Sequence, residues 1–310
     1  MTEAVEAAAH WGGRDLRLIR ARENAVYEML LPGGERAALR LHRVGYQGDA
    51  AIRSELWWCG ALADAGLPVP RPLRDLRGDV LGRLTTGRSC SALSWREGAP
   101  IGMAGVPLAG TPKNQELTHF QLGRLIAQMH SATDALVLPA DFTRPAWDIE
   151  GLVGDAPFWG RFWDHPAATE ADRAALTEAR LFLRRQLHAH LAAGAAIGPI
   201  HADVLRENVL ADGDALSLID FDDAGLGFRH YDLGTVMSQN QAEPNRVGLR
   251  DALIAGYGTL RQVDPFIVDV FTLARCCASV GWTMPRLAAD DPIHKSHIAR
   301  AVRCAAMVMG

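Results

Sequence analysis

The stretch from residue 198 to residue 225 constrains this chain more than any other part of its sequence. It contains two short apolar runs, Val209-Leu210 and residues 216–219, separated by the turn signal Asp212-Gly213-Asp214. This pattern predicts a β-hairpin. Polar residues lie at its outer ends: His201, Asp203 and Asn208 precede the hairpin, and residues 220–223 (Asp-Phe-Asp-Asp) follow it. Because the strands of a hairpin are antiparallel, both polar groups are expected at one end.

These residue types suit phosphoryl transfer. That reaction needs a carboxylate for the acceptor hydroxyl and oxygen ligands for a hard Mg²⁺ ion that bridges phosphates. Asp203, Asn208 and Asp220 supply such a set. The five-residue spacing from Asp203 to Asn208 matches a protein-kinase catalytic loop, and Asp220-Phe221-Asp222 is similar to the DFG element. The sequence therefore predicts an ATP- and Mg²⁺-dependent phosphotransferase.

Length and charge limit the alternatives. At 310 residues the chain has about twice the length expected of one domain, which favours two lobes around a cleft. A net charge of −4 gives no general basic field, so neither nucleic acid nor an anionic membrane is an expected partner. The five cysteines show no metal-ligand spacing, which suits a reducing compartment. No secretion signal is evident, and no apolar run approaches membrane-spanning length. The cytoplasm is therefore the expected location.

The first 98 residues predict a sheet with one helix. Aliphatic runs at residues 16–22, 26–31 and 37–43, with the turn signal Pro32-Gly33-Gly34, predict an antiparallel meander. Apolar residues at helical spacing predict a helix over residues 50–65, and residues 80–84 and 90–95 predict a second strand pair. We place the lobe boundary near residue 98.

Residues 99–310 predict a mainly helical lobe. Helical spacing of apolar residues covers five segments: residues 117–131, 171–193, 251–257, 265–280 and 298–309. Residues 142–163 are rich in aromatic residues, glycine and proline, and are expected to be ordered but irregular. The predicted fold class is thus α+β.

Taken together, the motifs resemble the aminoglycoside phosphotransferase family, whose relatives include choline kinases and type II homoserine kinases. The resemblance rests on His201-Ala-Asp203, on Asn208, on residues 219–225 and on residues 231–234 (Tyr-Asp-Leu-Gly). It implies a bilobal protein-kinase-like fold, with a nucleotide-binding lobe (residues 1–98) and a catalytic and substrate-binding lobe (residues 99–310). It also implies Asp203 as the catalytic base, Asn208 and Asp220 as magnesium ligands, and Asp232 as a structural brace.

The nucleotide site follows from the same resemblance. Arg40 stands where the family usually has lysine, Glu55 corresponds to the partner glutamate on the following helix, and the hinge with Trp95 and Glu97 corresponds to the adenine site. Two features depart from the family. The first is Arg40, because arginine keeps the charge but replaces a compact ammonium with a planar fork. The second is the predicted phosphate turn, residues 21–24, which has no glycine. Asn24 is left as the candidate phosphate contact of this turn.

The acceptor is less constrained. Asp222, Asp223 and Glu150 suggest an acidic rim and so a small, amine-containing acceptor, and Trp147 is a candidate substrate contact, although aromatic residues of this segment also suit core packing. A protein Ser/Thr kinase is an alternative, disfavoured by the short segment between Asp220 and Tyr231. A nucleotide-binding regulatory pseudoenzyme is another, suggested by Arg40. The sequence gives no indication of the oligomeric state.

Overall fold

The computed structural model describes residues 2–21 and 24–310 and divides the chain into two compact units. The first unit consists of residues 1–99, 135–144 and 210–222, and the second of residues 100–134, 145–209 and 223–310. Each unit is therefore assembled from three separate stretches of chain. The lobe boundary near residue 98 stays a prediction.

The first unit is built on an antiparallel sheet. Its strands are β1 (Arg14–Ala21), β2 (Ala25–Leu30), β3 (Arg36–Leu41), β4 (Pro72–Leu73), β5 (Gly82–Arg83) and β6 (Ser89–Ser94). They are ordered β1-β2-β3-β6-β4, and β5 also pairs with β6. Tyr27 pairs with Leu39, and Leu39 pairs with Ala92, which fixes the central register. The predicted meander and second strand pair are confirmed.

Two helices belong to this unit. Helix α1 (Glu3–Ala9), which the sequence analysis missed, buries Ala7 and Ala8 in a cluster with Met29 and Leu39. Helix α2 (Asp49–Asp64) is the predicted one, and it buries Ile52 and Leu56 in a small cluster. Burial of one apolar face is what holds an amphipathic helix in place. The fold thus fixes the face of α2 that carries Glu55.

The later stretches of the first unit add the predicted hairpin. The short strand β7 consists of Ala99–Pro100. Much later in the chain, β10 (Val209–Asp212) and β11 (Ala215–Leu218) pair with each other. The Leu218 amide donates to the Pro68 carbonyl at 3.1 Å. This bond ties the end of the hairpin to the segment after α2, just before Asp220.

The second unit is mainly helical, as predicted. Its helices are α3 (Pro112–Asp134), α4 (Ile149–Val153), α5 (Glu170–Ala192), α6 (His230–Gln239), α7 (Arg246–Gly258), α8 (Pro265–Thr283) and α9 (Ile293–Met309). A small sheet has the order β8 (Ala146–Trp147), β12 (Gly225–Phe228) and β9 (Ile197–Ile200). Its principal core cluster is lined by side chains such as Leu183, Phe228 and Phe271.

Close helix packing in this unit depends on glycine. Helices α3 and α7 pack against each other, and a Cβ atom on Gly123 or Gly256 would overlap the backbone of the other helix. Helix α8 is long and apolar enough to cross a membrane by length and composition alone, a property that the sequence analysis did not anticipate. However, 83% of its apolar window is buried inside the protein, as in the core helix of a folded domain.

Candidate active site

In the first unit, Arg40 and Glu55 form a buried ion pair. Strand β3 carries Arg40 and helix α2 carries Glu55, and their side chains are 4% and 1% exposed. Arg40 Nη2 donates a hydrogen bond to Glu55 Oε1. Arg144 Nη1 lies 3.6 Å from Glu55 Oε2. The structure thus brings the two predicted partners together and adds a second arginine.

Asp220 and Asp222 lie beside the same arginine. Arg40 Nη1 is 3.8 Å from Asp220 Oδ1 and 3.7 Å from Asp222 Oδ1. Burial raises the pKa of Asp222 to about 7, with the Glu55 and Asp220 carboxylates adding to the rise and Arg40 opposing it. Conversely, Glu55, Asp222 and Asp220 raise the pKa of Arg40 although its burial acts in the opposite direction. Arg40 is therefore a fixed positive charge among three carboxyl groups.

The two aspartates differ in exposure. The Asp220 side chain is 39% exposed, whereas that of Asp222 is 11% exposed. Asp220 has φ 65°, in the left-handed region that aspartate tolerates better than most residues. Asp220 can therefore meet a ligand, while Asp222 is mostly buried around Arg40.

The residues predicted to hold adenine and phosphate lie on the same unit. Glu97 accepts a hydrogen bond from Arg36 Nη1 at 2.8 Å, and the Arg36 guanidinium stacks 4.2 Å from the Trp95 ring centroid. Asn24 Oδ1 accepts from the Arg43 amide at 2.8 Å. Residues 22 and 23 of the predicted phosphate turn lie outside the described residues. The structure shows these side chains in protein contacts, and their ligand roles stay predictions.

In the second unit, both carboxylate oxygens of Asp203 are held. Asn208 Nδ2 donates to Asp203 Oδ2 at 2.8 Å and to the Asp203 carbonyl at 2.9 Å. Arg275 Nη2, from helix α8, donates to Asp203 Oδ1 at 2.6 Å. Hydrogen bonds to an ionised carboxylate are stronger than those between neutral groups. The Asp203 carboxylate is consequently held through both oxygens and remains 17% exposed.

The backbone that precedes Asp203 is braced by a buried carboxylate. Asp232 accepts from the Ala202 amide at 2.7 Å, from the His201 amide at 3.0 Å and from His130 Nε2 at 3.0 Å. Ala202 has φ 62°, which an alanine adopts only at a cost. Burial lowers the pKa of His130, so this ring is neutral and donates through Nε2. Asp232 is therefore positioned as the brace that the family resemblance implied.

The middle of the same loop is held by Arg206. This residue is 5% exposed, and its guanidinium donates to Asn240 Oδ1 at 2.6 Å, to Glu243 Oε1 at 2.6 Å and to the Val106 carbonyl at 2.8 Å. His119 Nε2 lies 2.8 Å from Asn240 Nδ2 and extends the network to helix α3. The loop that carries Asp203 and Asn208 is thus fixed at its start and at its centre.

Two residues suggested as substrate contacts have different outcomes. Trp147 is completely buried, donates through Nε1 to the Asp223 carbonyl at 2.9 Å and stacks on Tyr231. With no exposed surface, its side chain belongs to the core cluster and does not face a substrate. Asp223 is partly exposed and acts electrostatically on Arg275. Glu150, from the suggested acidic rim, instead forms an exposed pair with Arg184 at 2.7 Å.

Three arginines that lie next to predicted site residues of their own unit were not anticipated from the sequence. Arg275 could have been noticed, because a positive charge is unusual inside the apolar helix α8. Arg206 lies inside the motif itself, but its acceptors are 34 and 37 residues away along the chain. Arg144 precedes a proline, and nothing in the neighbouring sequence distinguishes it from a surface arginine.

The donor atoms suit Mg²⁺ and phosphates. Asn208 uses its amide nitrogen toward Asp203, so its oxygen faces the other way, and the Asp220 carboxylate is partly exposed. Carboxylate and amide oxygens are preferred ligands of magnesium. Among residues 2–21 and 24–310, no group of three or more His, Cys, Asp or Glu side chains is placed to hold a metal unaided.

Comparison with known proteins gives sequence matches over most of the chain. Residues 15–266 match a family described as the phosphotransferase enzyme family. A homoserine kinase of Pseudomonas aeruginosa is 31% identical over 298 residues, which is 90% of this chain and 82% of that protein. A homoserine kinase of Methylobacterium radiotolerans is 30% identical over 73% of this chain, and the match spans 65% of that protein's length.

The solved structures share the fold. A microcompartment-associated aminopropanol kinase has a TM-score of 0.82 and 26% identity, over 99% of this chain and 95% of that one. The choline kinase LicA from Streptococcus pneumoniae has a TM-score of 0.62 at 14% identity, over 98% and 97% of the two chains. The predicted protein-kinase-like α+β fold is thereby confirmed.

Proposed function

Because the chain belongs to the phosphotransferase enzyme family, we propose that it is an ATP-dependent kinase that transfers the γ-phosphoryl group to a hydroxyl of a small acceptor. Asp203 is the catalytic base in this proposal, and Asn208 and Asp220 hold magnesium. The observation that carries it is the Asp203 carboxylate, which Asn208 and Arg275 fix at 2.8 and 2.6 Å in a braced loop. Positioning of this kind is the main protein contribution to phosphoryl transfer.

Each residue has a distinct task. Asp203 orients the acceptor hydroxyl and receives its proton as the oxygen attacks phosphorus. When bound, Mg²⁺·ATP supplies the phosphoryl group and the positive charge that offsets the developing negative charge. Asp220 and Asn208 present oxygen atoms to the metal. The hydrogen bonds from Asn208 and Arg275 fix the direction in which this base points.

The nucleotide is assigned to residues of the first unit. Arg40, kept charged by Glu55, contacts the phosphates, while Trp95 and Glu97 contribute to the adenine site and Asn24 to the phosphate turn. The buried Arg40–Glu55 pair supports this assignment, because it fixes a positive charge next to the partly exposed Asp220 carboxylate. A planar guanidinium also binds phosphate oxygens in pairs.

The names of the relatives bear on the acceptor. They indicate homoserine and aminopropanol, each of which carries both a hydroxyl and an amine. We therefore propose a hydroxylated amine as the acceptor here, with Asp223 as the carboxylate nearest its ammonium group. The buried position of Asp222 beside Arg40 argues against a direct contact from that residue.

Turnover of ATP tests the proposal. Purified protein is incubated with ATP, Mg²⁺ and a panel of amino alcohols, hydroxy amino acids, aminoglycosides and sugars, and phosphorylated products are identified by mass spectrometry. Asp203→Asn is expected to lower kcat about 100-fold or more, and Asp220→Asn to weaken Mg²⁺·ATP binding. Asp214→Asn, a matched change on the exposed hairpin turn, should have no effect. Nucleotide binding without turnover of any acceptor would instead favour a regulatory pseudoenzyme.

A further inference from the structure

A cleft of about 400 Å³ lies in the second unit, and the described residues that line it include none of those assigned to the reaction. Its polar walls come from His190 at the end of α5, His230 at the start of α6 and Arg261 after α7, and the exposed Gln262 also lines it. Residues 194–196 (Gly-Ala-Ala) complete the lining, and their small side chains leave the space open. Small-molecule sites have volumes of about 300–1,000 Å³. The cleft is therefore large enough for a metabolite of a few carbon atoms.

The cleft has a surplus of positive charge, because two guanidiniums share one carboxylate. Arg229 Nη2 donates to Asp134 Oδ1 at 2.6 Å, and Arg261 Nη1 lies 2.7 Å from Asp134 Oδ2. Arg229 is 6% exposed, whereas the Arg261 side chain is 26% exposed. Asp264, in the adjoining cleft, accepts from the Phe266 amide at 2.9 Å as the N-cap of α8. An anion in the cleft would therefore contact Arg261, and the buried charge of Arg229 would add to the attraction.

Two histidines at the cleft form a hydrogen-bonded pair. His190 Nε2 lies 3.1 Å from His230 Nδ1. Burial lowers the pKa of both rings, that of His230 to about 4, so both are neutral near pH 7. The Gln262 backbone accepts from His230, so His190 donates the shared bond and its Nδ1 atom keeps a lone pair. Residues 2–21 and 24–310 provide no donor to that atom, and His190 is partly exposed. The pair can thus accept a hydrogen bond from a ligand.

A phosphate group is complementary to this combination of groups. Its oxygens accept strongly from a guanidinium, and its second pKa of about 6 lets it carry a proton close to neutral pH. That proton can be donated to His190 Nδ1 while the other oxygens accept from Arg261. Helix α6 begins at His230 and has no side-chain cap at Arg229, so the positive end of its dipole adds to the field. Sulfate and carboxylates have no such proton to donate near pH 7, so the cleft favours phosphate over both.

A chain of contacts leads from the cleft to the brace of the catalytic loop. The Arg261 amide donates to the Tyr257 carbonyl at 3.1 Å, and the Arg261 guanidinium interacts with the Tyr257 hydroxyl. That hydroxyl lies 3.0 Å from His130 Nδ1, and His130 Nε2 lies 3.0 Å from Asp232 Oδ2. Asp232 in turn accepts from the Ala202 amide. A ligand that draws Arg261 away from Tyr257 therefore acts on the residues that hold the catalytic loop.

We propose that this cleft binds a phosphate group, either the free ion or a small monoester, through Arg261 and His190, and that the bound phosphate inhibits turnover. Inhibition follows because phosphate and the Tyr257 hydroxyl compete for the Arg261 guanidinium. Loss of that contact loosens the support of His130 and, through it, of Asp232. The binding site stands without the kinase activity, and only the effect on turnover rests on the proposed function.

Calorimetry with three probes tests the binding site. The protein is titrated with inorganic phosphate, glycerol 3-phosphate and sulfate in a phosphate-free buffer, with Mg²⁺ and a non-hydrolysable ATP analogue present to occupy the proposed nucleotide site. At least one phosphate probe is expected to bind with a Kd below about 1 mM. Sulfate should bind about tenfold more weakly, because it cannot donate to His190. Tighter binding of the ester would identify an organic phosphate as the ligand, and tighter binding of inorganic phosphate would identify the free ion. Equal affinity for sulfate, or no binding of either phosphate, would overturn the proposal.

Variants assign the binding to this cleft. Arg261→Gln and His190→Asn should each weaken phosphate binding by about tenfold or more. Ala196→Leu fills the cleft from an exposed position without altering a charge, and it should weaken binding as well. Arg185→Gln and His188→Asn, at exposed positions of α5, are the matched controls and should bind as the wild type does. Unchanged affinity in all three cleft variants, or equal losses in the controls, would overturn the site.

Kinetics test the effect on turnover. Saturating phosphate probe should lower wild-type kcat by about fivefold or more, and added ATP or acceptor should not restore it. Tyr257→Phe removes the hydroxyl of the contact chain, so this variant should still bind phosphate but no longer be inhibited by it. Inhibition of Tyr257→Phe equal to that of the wild type would refute the coupling through Tyr257. Absence of phosphorylation with any acceptor, together with phosphate binding that Arg261→Gln abolishes, would refute the kinase activity and support this site. Kinase activity without phosphate binding would do the reverse.

Discussion

The brace formed by Asp232 gives the most quantitative prediction. Asp232→Asn keeps the shape of the side chain but turns one acceptor oxygen into an NH₂ group. The amide oxygen can replace Oδ2, which serves His201 and His130, so the Ala202 amide loses its 2.7 Å bond. The lost bond to a charged acceptor is worth about 1.5–3 kcal/mol, and the buried unsatisfied N–H adds about 1–3 kcal/mol. We expect the free energy of unfolding to fall by about 3–5 kcal/mol.

The same change should also release strain. Ala202 is held at φ 62° partly by the Asp232 bond, and a left-handed conformation costs an L-residue about 1–2 kcal/mol. In the Asp232→Asn background this residue can relax, so kcat should fall more than stability alone explains. Adding Ala202→Gly should restore part of the activity, because glycine adopts this φ without strain.

Urea unfolding followed by tryptophan fluorescence measures the loss in free energy of unfolding. Steady-state kinetics with the identified acceptor measures the fall in kcat and its recovery by Ala202→Gly. A loss below about 1 kcal/mol for Asp232→Asn would refute the argument, since the buried carboxylate would then contribute no more than a typical neutral hydrogen bond. A kcat that Ala202→Gly fails to improve in the Asp232→Asn background would refute the role assigned to strain.

Three further changes test other parts of the second unit. Gly256→Ala should lower the free energy of unfolding by more than about 2 kcal/mol, because the new Cβ atom would overlap the Phe120 carbonyl, and thermal unfolding measures it. Arg206→Met should cost about 3–5 kcal/mol by leaving Glu243 buried without its partner, and adding Glu243→Gln should recover part of this loss in the same assay. Burial, with neighbouring histidines, lowers the pKa of His230 from 6.5 to about 4. Below pH 6.5 the unfolded chain therefore binds a proton that the folded protein does not, and stability falls as the pH drops toward 4. At about 1.36 kcal/mol for each pH unit between the two values, the loss reaches about 3 kcal/mol, and His230→Asn should flatten this part of a pH titration of urea midpoints.

Local sequence patterns predicted the helices and strands, and the spacing of Asp203 and Asn208 predicted the loop that carries them. The meander and the helices follow from apolar spacing and turn residues, which act over a few positions. The spacing from Asp203 to Asn208 was informative because both residues lie on one short loop and bond to each other. Helix α1 was missed because its alanine-rich sequence gives little amphipathic contrast.

The rest depends on contacts between distant positions. Arg275 reaches Asp203 across 72 residues, and nothing within the motif specifies that partner. The suggested acidic rim depends on such contacts too, since adjacent acidic letters do not reveal that Asp222 is buried against Arg40. Charge counted along the sequence is therefore a weak guide to the charge that a ligand meets.

The assembly of the first unit from three stretches has a consequence for how the protein is made. Arg40 and Glu55 leave the ribosome early, but Arg144 and Asp220, which share their charge cluster, are synthesised about a hundred or more residues later. A nascent chain therefore carries this buried pair without its full set of partners until residue 222 has emerged. A fragment that ends at residue 98 should have the same defect permanently, so expression of separate halves is expected to give insoluble material where the whole chain folds.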